Sequence, residues 1–160
     1  MPLNKKKTIA LATTIVFLIT LDRFFKSLSL AGYLNKPVKI IGNIISLQFS
    51  KNYYIAFSIP VSGLLLNIVI TLIIIGLIIY LIYLFKKKLD FNIFILISLI
   101  VLGAISNLFD RIKFGYVVDY IDLKYFTVFN IADVMIVGGV LGLFYYSIRL
   151  EKRNIDITNT

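Results

Sequence analysis

The chain has 160 residues, of which 59% are hydrophobic and 16% are charged. A soluble domain of this size cannot bury so much apolar surface, because small domains have too much surface for their volume, so the lipid bilayer must be its solvent. Cysteine and histidine are both absent, which excludes disulfides, thiol nucleophiles, serine–histidine pairs and histidine-ligated metals.

Four apolar stretches follow one another and predict four transmembrane helices in a single domain, residues 1–160. The predicted spans are about 8–30, 61–85, 91–109 and 131–148. The first stretch is interrupted by Asp22, Arg23 and Lys26. Its uncharged part extends only about 21 Å as a helix, which is shorter than the roughly 30 Å hydrocarbon core. We therefore expect Asp22 to lie in the outer leaflet or at its edge.

Clusters of basic residues flank the apolar stretches and indicate their orientation. They lie before the first span, between the second and third spans, and after the fourth span. With four spans all three clusters fall on one side, so both termini should be cytoplasmic. The net charge of +9 is then a topology signal, and we expect no nucleic-acid partner. The basic start is also typical of a secretory signal peptide, but no hydrophilic mature domain follows it.

Two segments, about 31–60 and 111–130, should face outward. In the first, polar and apolar residues alternate from Ser46 to Ser50, which predicts a strand of a small sheet on the membrane surface. The predicted fold is an all-α membrane protein with four transmembrane helices and a small extracytoplasmic β-cradle, and we expect a monomer. Both segments contain aromatic residues typical of a membrane interface: Tyr53, Tyr54, Phe57, Tyr116, Tyr120, Tyr125 and Phe126.

Asn107, Asp110 and Arg111 share one helix face near the outer end of the third span. A charge at the bilayer centre costs about 2.5–3.5 kcal/mol on insertion scales, so such residues usually serve a function. Asp110 and Arg111 can neutralise each other or neighbouring groups. For both residues a structural lock between helices is one interpretation. For Arg111, contact with a substrate is an equal alternative.

Asn130 and Asp133 open the fourth span. An asparagine at an N-cap with an acid three residues later is typical of a helix start. An acid so close to the bilayer also needs a partner, and Asp119 in the preceding segment is the first candidate. Asp122, three residues further along a segment that we expect to be extended, is either a rival partner or a solvated loop acid.

Two carboxylates at an apolar boundary cannot both ionise cheaply, because repulsion and desolvation raise one pKa and leave the pair with one shared proton. One aspartate then acts as a general base on water, and the other protonates the departing amine of a peptide. This chemistry needs no metal and no cofactor. A serine–lysine dyad with Lys26 or Lys51 as the base is the alternative, but the spacing of the serines favours no pair.

Two motifs resemble those of bacterial lipoprotein signal peptidase, the signal peptidase II family, and the resemblance extends along nearly the whole chain. They are GAxxNxxDRxxxGxVVDYI, from Gly103 to Ile121, and FNxAD, from Phe129 to Asp133. The resemblance implies an aspartic endopeptidase of the bacterial cytoplasmic membrane that cuts lipidated prolipoproteins before the lipidated cysteine. It implies that Asp119 and Asp133 are the catalytic dyad. It implies substrate binding or support of the dyad for Asp22, Lys26, Asn52, Asn107, Asp110, Arg111 and Asn130.

The loop before the second span departs from the family pattern. The family usually has Asn-x-Gly-Ala-Ala-Phe, whereas this chain reads NYYIAF from Asn52 to Phe57. Tyr54 replaces a glycine, so the backbone has less access to positive φ and a bulky ring enters the cradle. Ile55 also replaces a small residue. We expect these changes to affect the loop and the substrate range but not the dyad.

Two other functions fit parts of the sequence. A small proton-linked transporter or channel would use the acids as a relay, but such a protein should carry polar residues through the whole bilayer depth. A phosphatidyltransferase of the CDP-alcohol type is loosely matched by Gly115, Asp119 and Asp122, without its upstream acid pair. Peptide cleavage that needs no metal would distinguish the peptidase from both.

Overall fold

Helices and short strands follow one another along the chain in the computed structural model, which describes residues 5–54, 63–87 and 90–158. The helices are α1 (Lys5–Leu30), α2 (Leu64–Lys86), α3 (Phe91–Phe114) and α4 (Ile131–Thr158). The strands are β1 (Val38–Ile41), β2 (Ile45–Asn52), β3 (Val117–Leu123) and β4 (Val128–Phe129). A mostly helical chain with a small sheet is therefore confirmed.

Within the described residues, three of the helices are long and apolar enough to cross a membrane. They cover Leu64–Lys86, Phe91–Phe114 and Ile131–Arg149. Many of their apolar side chains are largely exposed, as a lipid-facing surface requires. Helix α1 has 26 residues but carries three charged residues within its apolar stretch, and it is not among these three. The chain is a membrane protein by composition and helix length.

Two helices continue for several residues beyond the C-terminal ends of the predicted spans. Helix α3 continues beyond Phe109 to Phe114, where Gly115 ends it in a left-handed conformation with φ of 81°. Helix α4 continues beyond residue 148 to Thr158. Charged side chains end a hydrophobic stretch but not a helix, because Asp, Arg and Lys keep a helical backbone at small cost. The predicted start of the second span, Val61, lies outside the described residues.

Helices α3 and α4 approach each other closely at two glycines. A Cβ atom at Gly103 would lie 2.5 Å from the carbonyl oxygen of Ala132, and one at Gly139 would lie 2.7 Å from that of Leu96. Small residues are typical of such contacts between membrane helices. Gly103 lies one turn before Asn107, so this contact brings the polar face of α3 against the first turn of α4. A buried core between α2 and α3 contains Ile74, Leu84, Ile97 and Val101.

The strands form one antiparallel sheet in the order β1-β2-β3-β4. The strand predicted from Ser46 to Ser50 is confirmed within β2, and the segment that was expected to be extended is β3. Ser50 pairs with Asp119 in the register of these two strands. Two residues separate the end of α3 from the start of β3, and the residues from Val117 to Tyr120 are buried. The sheet therefore places Asp119 where α3 ends and α4 begins.

Tyr120 is not an interface aromatic, and that prediction is wrong. The residue is 0% exposed, and its ring stacks on Phe25 with centroids 5.3 Å apart. Tyr53, Tyr125 and Phe126 are exposed as expected, whereas Phe57 lies outside the described residues. The tyrosine can be buried because its hydroxyl has two polar partners, Asp22 in α1 and the backbone N–H of Ile131 at the start of α4, which compensate for the loss of water.

Candidate active site

The first turn of α4 begins with a reciprocal pair of hydrogen bonds. The backbone N–H of Asp133 donates to Oδ1 of Asn130 at 2.9 Å, and the backbone N–H of Asn130 donates to Oδ2 of Asp133 at 3.2 Å. This arrangement corresponds to a capping box, which satisfies backbone donors that a helix start otherwise leaves free. The predicted helix-start signature is confirmed, and it fixes the position of both side chains.

Two asparagine side chains connect the carboxylates of Asp119 and Asp133. Nδ2 of Asn130 donates to Oδ1 of Asp119, and Nδ2 of Asn107 donates to Oδ1 of Asp133, both at 2.7 Å. The two amides also bind each other, since Nδ2 of Asn130 donates to Oδ1 of Asn107 at 3.2 Å. Asp119 accepts a second bond, 3.0 Å long, from Nδ2 of Asn52 in β2. These five residues form what we call the dyad network.

Asp119 lies inside the dyad network and is electrostatically perturbed. The residue is 1% exposed. Burial, and then the negative charge of Asp133, raise the pKa of Asp119 from 3.8 to about 7. Hydrogen bonds from Asn52 and Asn130 and the charge of Lys26 act in the opposite direction. Asp119 therefore exchanges a proton near neutral pH beside a second carboxyl group, as a general acid or base must.

A buried group of ion pairs joins α1 to α3 next to the dyad network. Nζ of Lys26 lies 3.1 Å from Oδ2 of Asp22 and 2.8 Å from Oδ2 of Asp110, and all three side chains are fully buried. Asp110 also pairs with Arg23 at 2.6 Å, so its cationic partners come from α1. Lys26 donates to Oδ1 of Asn107 at 2.9 Å. Asp110 thus ties two helices together, as the structural interpretation of this residue requires.

Asp22 and Tyr120 bind the remaining donors at the start of α4. The backbone N–H of Ala132 donates to Oδ1 of Asp22 at 3.2 Å, and that of Ile131 donates to the Tyr120 hydroxyl at 3.2 Å. The hydroxyl in turn donates to Oδ1 of Asp22 at 3.1 Å. This role of Tyr120 was not predicted from the sequence. The one available signal was its position beside Asp119, because a tyrosine in a buried strand needs a hydrogen-bond partner.

Arg111, in the last turn of α3, borders both the dyad network and a cavity of about 460 Å³ between α2 and α3. Its Nη2 donates to the backbone carbonyl of Tyr54 at 2.8 Å. Its charge interacts with those of Asp133 and Asp119. Its Nε is buried and has no hydrogen-bond partner within the described part of the chain. Arg111 therefore retains a buried donor beside the two carboxylates.

Tyr54 fits its loop without the backbone conformation that favours glycine. Tyr125 is the one non-glycine residue with positive φ in the described ranges. The backbone N–H of Tyr54 donates to Oδ1 of Asn52 at 3.0 Å, which leaves Nδ2 of Asn52 for Asp119. Tyr54 is 43% exposed, so its ring is accommodated at the surface. Ile55 and the following residues to Phe57 lie outside the described residues.

Asp122 and Lys26 have other partners than the alternative interpretations require. Asp122 lies in β3 rather than in a loop, and it accepts a hydrogen bond from Ser46 at 3.2 Å across the sheet. Nζ of Lys26 does donate to the hydroxyl of Ser106 at 3.4 Å, but that hydroxyl donates a hydrogen bond to Oδ2 of Asp22 at 2.6 Å. A lysine that is paired with two carboxylates is not available as a base. In the residues that the structure describes, no group of acids has the arrangement of a metal site.

Comparison with known proteins identifies the family. The sequence profile of signal peptidase (SPase) II matches residues 14–149. The chain belongs to the signal peptidase II family. It is therefore a membrane peptidase, and the family resemblance found in its motifs is confirmed.

Individual relatives cover most of the chain. The lipoprotein signal peptidase of Caldicellulosiruptor bescii is 42% identical over 125 residues, which cover 78% of this chain and 81% of that protein. The lipoprotein signal peptidase of Halothermothrix orenii is 36% identical over 139 residues, with coverage of 86% and 94%. A solved bacterial membrane enzyme has a TM-score of 0.73 at 27% identity and 88% coverage of both chains. A second has a TM-score of 0.68 at 28% identity, with coverage of 86% and 91%.

Proposed function

We propose that this chain is an intramembrane aspartic endopeptidase that removes the signal peptide from diacylglyceryl-modified prolipoproteins. It cuts before the lipidated cysteine, and Asp119 and Asp133 activate the attacking water. The observation that carries the proposal is this pair of carboxyl groups, joined through Asn107 and Asn130. Membership of the signal peptidase II family and similarity to proteins named lipoprotein signal peptidase support the substrate class.

The charges around the dyad balance when it holds one proton. The cluster contains three cations and four carboxylates: Arg23, Lys26, Arg111, Asp22, Asp110, Asp119 and Asp133. A net charge at a bilayer boundary is costly. A single proton on the Asp119–Asp133 pair therefore gives the neutral state, and we assign this singly protonated state to the active enzyme.

Within the pair, we assign the proton to Asp119 and the role of general base to Asp133. Asp119 is 1% exposed, and burial penalises its ionised form. Asp133 is only partly buried and lies in the first turn of α4, where the helix dipole favours a negative charge. Two N–H groups donate to its carboxylate, one from Asn107 and one from the backbone of Asn130.

The reaction then needs no covalent intermediate. Asp133 takes a proton from water as the water oxygen attacks the carbonyl carbon of the scissile peptide. The C–N bond of the tetrahedral intermediate breaks, and Asp119 gives its proton to the departing amine nitrogen. The pair still holds one proton, now on Asp133, and transfer of this proton to Asp119 restores the starting state. Asn130 bonds to both acids and orients their carboxyl groups during these transfers.

The remaining polar residues have supporting roles in this proposal. Arg111 binds a substrate carbonyl through its free Nε, and Asn52 stabilises the ionised form of Asp119 after it has given up its proton. The ion pairs of Asp22, Lys26 and Asp110 hold α1 and α3 together and so support the dyad. No cofactor or metal takes part.

We further propose that α1 is a fourth span, that both termini are cytoplasmic, and that the dyad lies at the outer face of the bacterial cytoplasmic membrane. The positions of the basic residues support this topology. Lys86 ends α2 and Arg149 ends the apolar part of α4, both remote from the dyad, and Lys5 opens α1. The partners in this proposal are lipidated prolipoproteins and membrane lipids, and the enzyme acts as a monomer.

A processing assay with a diacylglyceryl-modified precursor tests the proposal. Asp119→Asn and Asp133→Asn should each lower kcat by at least about 10²-fold, the contribution of a general acid or base, while the protein stays folded. Asp122→Asn changes an acid in the same strand and should keep the wild-type rate. EDTA should have no effect. Near wild-type cleavage by either dyad variant, or a requirement for magnesium, would overturn the aspartic mechanism.

A further inference from the structure

The first three backbone donors of α4 are each bound by a side chain from a different part of the chain. The N–H groups of Ile131, Ala132 and Asp133 donate to Tyr120, Asp22 and Asn130, respectively. One such cap is common at a helix start, and the other donors are usually left to water. Here all three are fixed by residues that are themselves 0% exposed. Three buried side chains therefore fix the position of the helix start that carries Asp133.

The Tyr120 hydroxyl has a particular place in this arrangement. Tyr120 directly follows Asp119 in β3, and its bond partner Ile131 lies two residues before Asp133 in α4. The hydroxyl is thus a short connection between the backbone segments that carry the two carboxylates. Its second bond, to Oδ1 of Asp22, ties the same point to α1. No bond of Tyr120 reaches a carboxylate of the dyad itself in the described contacts.

Resting on the function proposed above, we propose that Tyr120 is a positioning residue that sets the separation between Asp119 and Asp133 through the start of α4. A loss of its hydroxyl releases the N–H of Ile131 and one bond of Asp22, so α4 can shift relative to β3. A displacement of about 1 Å in a reacting group can cost about 10²-fold in rate. It also changes the repulsion between two carboxylates, because that repulsion depends on their distance.

The alternative is a purely structural role, in which Tyr120 only fills the core. Its ring is fully buried and stacks on Phe25, so loss of either ring would lower stability. Burial and the charge of Asp22 raise the pKa of Tyr120, so the hydroxyl keeps the proton that it donates. The two roles can be separated because the ring and the hydroxyl can be removed one at a time.

Tyr120→Phe removes only the hydroxyl, and Phe25→Leu removes only the stacked ring. Both variants should have a lower Tm than the wild type. We expect kcat of Tyr120→Phe on the lipidated precursor to fall by about 10-fold to 10²-fold with KM unchanged, and the width of its pH–rate profile to change. Phe25→Leu should keep both the kcat and the profile. The ionisable groups that face the dyad, and that must be unchanged in this comparison, are Asp22, Arg23, Lys26, Asp110 and Arg111.

A second measurement does not need activity. Titration of ¹³C-labelled aspartate by NMR, with Asp119→Asn to assign the signal, gives the pKa of Asp119 directly. Tyr120→Phe should shift that midpoint and Phe25→Leu should not. Equal kcat, profile and midpoint in Tyr120→Phe and wild type would overturn the positioning role. A wild type that fails to cleave the precursor, yet shows the shifted midpoint in Tyr120→Phe, would overturn the proposed function and leave the positioning role standing.

Discussion

Replacement of Asn52 by leucine should move the alkaline limit of activity upward. Nδ2 of Asn52 donates to Oδ2 of Asp119 at 3.0 Å and lowers the pKa of that carboxyl group by stabilising its ionised form. A hydrogen bond to a charged group is worth about 1.5–3 kcal/mol, and one pKa unit corresponds to about 1.4 kcal/mol. Loss of the bond should therefore raise the pKa of Asp119 by about one to two units.

The sign of the activity change follows from the role of the proton. In the proposed mechanism the active enzyme holds one proton on the Asp119–Asp133 pair, so activity should decline as pH rises through the pKa of Asp119, which is about 7 in the wild type. In Asn52→Leu the proton is retained to higher pH, so this decline should begin about one to two pH units later. The plateau rate itself should fall, because Asp119 loses a contact that orients it.

The assay measures kcat/KM for a diacylglyceryl-modified precursor between about pH 5 and pH 10. The readout is the pH at which kcat/KM falls on the alkaline side of the profile, not the maximum value of kcat/KM. Ser46→Ala is the matched control, since Ser46 donates to Asp122 between the same two strands at 3.2 Å. It should leave the profile where the wild type has it. An unshifted alkaline limb in Asn52→Leu, or a shift to lower pH, would refute the assignment of the retained proton to Asp119.

Three further predictions concern stability and packing. The Tm of Asp119→Asn should exceed that of the wild type at pH 8, and the difference should vanish toward pH 4. The pKa of Asp119 is about 7 in the folded protein and 3.8 as the ordinary value, so the wild type loses stability as pH rises between these two values. Thermal scans across this pH range check the prediction. Lys26→Met leaves two buried carboxylates without their common partner and should cost about 3–5 kcal/mol in free energy of unfolding. Gly103→Ala should lower both Tm and kcat, because its Cβ would lie 2.5 Å from the Ala132 carbonyl oxygen, whereas Gly138→Ala, with nothing within 4 Å, should be neutral in both measurements.

The membrane helices could be predicted because they depend on average hydropathy over about 20 residues. The dyad could be proposed because acids are rare in such a chain, and only Asp119 and Asp122 precede Asp133 closely enough to be obvious partners. The choice between these two depends on strand register. Pairing of Ser50 with Asp119 and of Asp122 with Val128 is set by the whole sheet, which no local pattern specifies.

The partners of buried polar residues could not be predicted in the same way. Asp110 is followed by Arg111, yet its cations are Arg23 and Lys26 from a helix more than 80 positions earlier in the chain. From the sequence alone Tyr120 resembles an interface aromatic, because its neighbours in the chain do not reveal that the start of α4 covers it. Long-range pairs are selected by which donors remain unsatisfied when the elements pack, and this information exists only in the assembled fold.

Stability and protonation are linked in the cluster through Lys26. The residue neutralises Asp22 and Asp110 by direct pairing, and its charge also lowers the pKa of Asp119. The lysine that holds α1 against α3 through Asp110 therefore also opposes the rise in the pKa of Asp119 that burial and Asp133 cause. A Lys26 substitution can be combined with a second change that restores folding, for example Asp22→Asn. In such a double variant the pKa of Asp119 should still be higher than in the wild type. Lys26 thus links the packing of the first helix to the chemistry that we propose for the dyad.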